Sequence, residues 1–214
     1  MNTQRPEWND ANNALAGKGL SVVTLGYLRR FIVFCRGLFD HGEMQELPIG
    51  LEVSRFFIQV AEILTRFTPR LSSGFTDAQR RQMMDALGQA GSDFRWKYYR
   101  QGLSGEVTQL PVAVLDRFLE LAQAYVDASL RANRRPDGLY HAYNTLQLSP
   151  GEATVQHMYE MLEGQVSILS SGLLSGEGAL RLLESLQAGR LYRADQHSYI
   201  LYPDRELPGF LEKN

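Results

Sequence analysis

Residues 21–39, SVVTLGYLRRFIVFCRGLF, are the stretch on which the fold turns. Val22, Leu25, Leu28, Ile32, Cys35 and Phe39 recur at helical spacing and form one apolar row. Val23, Tyr27, Phe31, Phe34 and Leu38 form a second row, so the helix is apolar almost all round. A helix of that kind is expected between neighbouring elements and not on a surface. Helix-on-helix packing is therefore the expected architecture.

The rest of the chain reads in the same way. Val53, Phe56, Phe57, Val60, Ile63, Leu64 and Phe67 mark a second helix, entered after Pro48 and Gly50 and ending near Pro69. Thr76 with Gln79 has the form of a capping box and opens a third, with Arg80, Arg81, Asp85 and Gln89 on a polar face. Pro111 suits a first helical position, ahead of a fourth helix through Val114, Leu115, Phe118, Leu119, Ala122, Tyr125 and Val126. Val155, Met158, Tyr159, Leu162, Val166 and Leu169 predict a fifth, closed by Gly172. Ser175, Leu180, Leu183 and Leu186 predict a sixth, closed by Gly189. The single strand candidate is 197–202, HSYILY, before Pro203. The expectation is an all-α fold of six helices in antiparallel pairs, forming one domain over residues 1–214.

Composition narrows the function. Hydrophobic residues at 44% and charged residues at 21% are globular values, and a net charge of −2 favours neither a phosphate backbone nor an anionic membrane as partner. Nucleic acid and membrane are accordingly not expected as partners. The start, MNTQRPEWND, has no basic and apolar leader pattern, and no run approaches the ~18 apolar residues of a membrane span. A cytoplasmic protein is expected. The one cysteine, Cys35, sits in an apolar run and reads as a buried, inert thiol. Chemistry is then sought in the irregular segments, residues 1–20, 134–153 and 189–214.

Glu7, Trp8, Asn9 and Asp10 stand together near the start. Tryptophan offers a flat platform for a pyranose face, and the amide and carboxylates can bond sugar hydroxyls. The plainer reading is that Asp10 caps a helix running through Asn13 and Ala16. The stretch 5–13, RPEWNDANN, resembles the catalytic loop of cellobiose and chitobiose phosphorylases, whose pattern is Asp-Trp-Asn-Asp-Gly-Met-Asn. The resemblance implies that Asp10 is the general acid, with Glu7, Trp8, Asn9 and Asn13 contacting substrate. This sequence departs from the pattern in having Glu7 for the first aspartate, Ala11 for glycine and Asn12 for methionine. Residues 5–31 and 134–146 are also similar to parts of large bacterial phosphorylase-like proteins. The family folds as an (α/α)6 toroid of twelve helices, so the resemblance implies about half of one here, as part of a larger catalytic domain. Half a toroid leaves apolar faces uncovered, so self-association or a partner chain completing the ring is expected.

The segment 131–144 gathers Arg131, Arg134, Arg135, Asp137, Tyr140, His141, Tyr143 and Asn144, with a turn at Asp137-Gly138. Arg134 and Arg135 suit phosphate or a carboxylate, while Asp137, Tyr140 and His141 suit a sugar. A solvated turn neutralising a helix C-terminus is the alternative. His141 lacks metal-ligand spacing, and neither metal nor cofactor is expected. Glu160 and Glu163, three apart, would share a helix face. One of them could be the base an inverting hydrolase needs; otherwise both are exposed on an amphipathic helix. Gly164 inside that helix suggests close packing.

Three functions follow from these readings. One is a carbohydrate-active segment acting on a disaccharide or oligosaccharide, by inverting phosphorolysis or hydrolysis, with inorganic phosphate or water as acceptor. The second is a helical interaction or scaffold domain. The third is a fragment without activity of its own.

Overall fold

The computed structural model describes residues 18–40, 44–203 and 209–213. These residues are 59% helical and 18% strand, and the strands form three sheets, so the fold is mixed and the all-α expectation is overturned. The half-toroid of paired helices falls with it. The elements are β1 (Gly19–Ser21), α1 (Val22–Asp40), β2 (Glu46–Gly50), α2 (Leu51–Phe67), α3 (Arg70–Ser73), α4 (Asp77–Gln101), β3 (Val107–Pro111) and α5 (Val112–Ala132). They continue with β4 (Tyr143–Ser149), β5 (Glu152–His157), α6 (Leu162–Ser170), α7 (Gly176–Ala188), β6 (Tyr192–Arg193), β7 (Ser198–Tyr199) and α8 (Phe210–Lys213). Among the described residues no helix is long and apolar enough to cross a membrane.

The departure from the expected helices is sharpest at 143–161. Residues Thr145 to His157 alternate polar and apolar side chains on either side of Pro150-Gly151, which is hairpin patterning. Gly151 has φ of 78°, as the third residue of a type II turn requires, with Pro150 before it. Val155 therefore lies in β5, and the helix predicted from it begins only at Leu162. Its spacing to Met158 and Tyr159 imitates a helical period across a strand end. Pro48 and Pro111 are likewise in strands, β2 pairing antiparallel with β3 from Glu46↔Pro111 to Gly50↔Val107. The candidate strand at 197–202 shrinks to β7, paired with β6.

The chain divides into two compact units, Met1–Tyr27 with Ala132–Thr145 and His157–Asn214, and Leu28–Arg131 with Leu146–Gln156. In the second unit α2 meets α4 through Phe56 stacked on Phe94, ring centroids 4.9 Å apart, and meets α5 through Phe57 and Phe118 at 4.7 Å. The capping box at Thr76 and Gln79 is formed as the sequence implies. Helix α1 is held to α5 by ion pairs, Arg29 to Asp127 at 2.6 Å and Arg36 to Asp116 at 2.9 Å. Within this unit α1 is not apolar-packed all round: Ile32 is buried, but Phe31 and Phe34 are 62% and 61% exposed. Cys35 is half-buried.

In the first unit β1 pairs antiparallel with the start of β4, Ser21 facing Tyr143. Val22 and Val23 both donate backbone N–H bonds to the Ala142 carbonyl. Val23, Ala142, Tyr143 and Met161 form one buried cluster, and Leu139, Leu186 and Leu191 a second. Two glycines let the backbones close up. A Cβ on Gly164 would lie 2.9 Å from that of Ala142, and one on Gly26 would run into the Ser167 hydroxyl oxygen. Close packing at Gly164 is thus a property of the fold.

Candidate functional site

The segment after α5 folds back on itself as a small hairpin. Arg134 bridges antiparallel to Tyr140. Between them Gly138 N–H donates to the Arg135 carbonyl at 3.1 Å, and Arg135 N–H to the Leu139 carbonyl at 2.8 Å. The residues suit the turn: Pro136 presets φ at the second position, and Gly138 takes φ of 86°. Asp137 completes it by accepting the Leu139 N–H at 3.1 Å. A wholly buried amide, Gln165, then serves as an artificial strand edge for Tyr140. Its Oε1 accepts the Tyr140 N–H at 2.9 Å, and its Nε2 donates to the Tyr140 carbonyl at 2.8 Å.

This hairpin and the α7 region enclose a cleft of about 460 Å³. Arg134, Asp137 and Tyr140 line it from the hairpin, and Ser175, Arg181, Glu184 and Ser185 line it from the α7 side. The packing between the two is tight, since a Cβ on Gly138 would meet the Ser185 hydroxyl oxygen at 2.8 Å. Arg134 has no ion-pair partner among the described residues, whereas Arg181 pairs with Glu177 one turn back. The charges on the wall balance, two cations against two carboxylates, and hydroxyl groups stand among them. Such a wall offers donors and acceptors to a neutral polar ligand without drawing in a highly charged one.

Asp137 is held in its ionised form. Burial pushes its carboxyl up, but the Arg135 guanidinium and the Leu139 N–H outweigh burial and keep it below the usual carboxylate range. Arg135 contacts Asp137 through both Nε and Nη2, and the same Nη2 lies 3.1 Å from the Glu160 carboxylate. Glu160 is only 6% exposed, so it is a buried anion compensated by one arginine. It lies ahead of α6 in a bridge to His141, whereas Glu163 is in the first turn of α6. The two glutamates therefore do not share a helix face, and neither is exposed. Glu163 is half-buried. Its Oε1 has no hydrogen-bond partner among the described residues, and burial raises its carboxyl against the opposing Tyr143 hydroxyl.

His141 points elsewhere. Its ring stacks on His157 at 4.2 Å with 5° between planes, and its Nδ1 lies 2.8 Å from the Met158 carbonyl. Burial depresses its basicity, with the Met158 carbonyl partly opposing. The nitrogen facing a carbonyl carries the proton in the neutral ring, which makes His141 a structural donor.

Of the residues read as substrate contacts, Arg134, Asp137 and Tyr140 share the cleft, Arg135 braces Asp137, and His141 is not on its lining. Asp10, Glu7, Trp8, Asn9 and Asn13 lie outside the described residues. Arg181, Glu184 and Ser185 were not singled out from sequence; Ser175 was read only as a helix start and Gln165 only as a neighbour of Glu160 and Glu163. Arg181, Glu184 and Ser185 do stand at helical spacing opposite buried Leu182 and Leu186, which marks a polar face of α7. Among the described residues no three His, Cys, Asp or Glu side chains gather as a metal ligand set. Compared with models of known protein families the chain matches none, and a comparison with curated proteins also finds no match.

Proposed function

We propose that the chain is a carbohydrate-active segment similar to inverting disaccharide phosphorylases and glycosidases, with Asp10 as its general acid. The observation that carries the reading is the meeting of Arg134, Asp137 and Tyr140 on one charge-balanced cleft with Ser175, Arg181 and Ser185. Guanidinium and hydroxyl groups donate to sugar oxygens, and Asp137 accepts from hydroxyls. The Trp8-Asn9-Asp10 pattern supplies the acid. In this reading the hairpin and α7 hold the sugar, and Arg135 keeps Asp137 ionised and aimed.

Calorimetric titration with cellobiose, chitobiose and inorganic phosphate tests the cleft. Arg134→Ala and Asp137→Asn should each weaken disaccharide binding by about tenfold, or ~1.4 kcal/mol. Unchanged affinity in both variants would remove the cleft from the proposal. Asp10→Asn tests the chemistry, with an expected loss of ~10²–10⁴ in turnover.

A second reading, a helical interaction module, is favoured by one observation: Phe31, Phe34 and Leu38 stand exposed along α1. Large exposed apolar rows mark association surfaces. Sedimentation that shows a concentration-dependent dimer, abolished by Phe31→Ser with Phe34→Ser, would support it.

A further inference from the structure

The second unit carries a polar groove over an aromatic floor that the cleft of the first unit does not use. The groove lies between α2 and α4 and holds about 140 Å³. Its floor is the stacked pair Phe56 and Phe94. Arg55 and Lys97 stand on its rim, and neither makes an ion pair among the described residues. Glu52, Gln59 and Asp93 line the groove too, with Glu52 Oε1 accepting the Ser104 N–H and Asp93 Oδ1 the Gln89 amide, which leaves the second oxygen of each carboxylate as an acceptor. Tyr98 closes one wall and leads outward. Its ring is 5.8 Å from that of Tyr99, which is 6.0 Å from that of Trp96 in an edge arrangement. Trp96 and Tyr99 are 54% and 65% exposed, and Arg100 lies over the outer Trp96 ring at 5.7 Å.

We infer that this face is a second binding site, for a neutral oligosaccharide, with one sugar ring in the groove and its neighbours along Tyr98, Tyr99 and Trp96. An aromatic face takes the apolar C–H side of a pyranose, while the rim must both donate to and accept from hydroxyls. Two cations and two carboxylates do that with no surplus charge. A polyanion would meet Glu52 and Asp93, and the chain as a whole carries −2. The groove's size suits a single ring, and the row of exposed rings outside it suits a chain continuing from that ring. The inference does not depend on the function of the cleft in the first unit.

The chain has two tryptophans, Trp8 and Trp96, so a nitrogen–proton correlation spectrum contains two indole signals, and Trp96→Phe assigns the second. Cellohexaose, chitohexaose and maltohexaose are titrated separately into the full chain. At least one should shift the Trp96 signal saturably. Tyr98→Ala and Lys97→Ala should each weaken that binding about tenfold, while Tyr98→Phe keeps the ring and most of the affinity. Arg134→Ala should leave it unchanged. No shift with any of the three sugars up to about 10 mM overturns the inference. So does a single-stranded oligonucleotide or an anionic vesicle that shifts Trp96 at lower concentration than any sugar. Loss of the Trp96 shift in Arg134→Ala would overturn the claim of a separate site.

Discussion

Replacing Gly164 by alanine tests the packing of the first unit at one atom. In a helix interior alanine is favoured over glycine by ~1 kcal/mol, so propensity alone predicts stabilisation of α6. The structure predicts the opposite. The new methyl would lie 2.9 Å from the Ala142 Cβ, 3.0 Å from its Cα and 3.1 Å from its backbone nitrogen. The shortest of these is about half an ångström inside ordinary van der Waals contact. Two of the three atoms are backbone, and the Ala142 carbonyl is fastened by the N–H groups of Val22 and Val23. The strain therefore cannot be relieved by a side-chain rotation. Overpacking of this sort costs ~1–3 kcal/mol, and the fastened backbone argues for the upper end. Set against the propensity gain, Gly164→Ala should destabilise by ~2 kcal/mol. Gly88→Ala and Gly91→Ala are the controls, because both glycines lie in α4 with nothing within 4 Å of the built Cβ. Each control should gain ~0.5–1 kcal/mol. Equilibrium urea unfolding of the four proteins measures the differences, with hydrogen exchange at Val22 and Val23 reporting the local effect. If Gly164→Ala is as stable as Gly88→Ala, the close approach of α6 to Ala142 is wrong.

Further outcomes follow from the same structure. Asp127→Ala should cost ~2 kcal/mol, because it removes the charge-assisted bond that Arg29 Nε makes to Asp127 at 2.6 Å at a largely buried position, and a thermal melt checks this. Glu163 has a folded-state pKa above its unfolded value near 4.5, so its stabilising contribution is full below that pH and is lost as pH rises through the folded pKa. Glu163→Gln should therefore gain on the parent as pH climbs from about 4.5 towards neutrality; parallel stability–pH curves would contradict the burial of its Oε1. Asp137 behaves in the opposite sense, since its depressed folded pKa gives stability present above its unfolded value and lost in acid. Arg135→Met should remove that support, and carbon-detected titration of Asp137 should then show its pKa rising.

Local patterns were legible in the sequence where the physics is local. The capping box at Thr76 needs only two side chains three residues apart, and the turn at Pro136-Asp137-Gly138 needs only residues whose own backbone preferences match it. The hairpin around Pro150-Gly151 was equally local, yet the apolar residues Val155, Met158 and Tyr159 imitate a helical period because a strand end and the loop after it happen to share that spacing. Which row of α1 is buried could not be read, since both rows are apolar. The choice was made by Arg29 and Arg36, whose carboxylate partners lie 98 and 80 residues away on α5. The cleft was half visible: Arg134, Asp137 and Tyr140 are near one another in the chain. Ser175, Arg181 and Ser185 join them only because Gln165 and the bare Cα atoms of Gly138 and Gly164 let distant backbones approach, and such an approach leaves no periodic mark in a sequence.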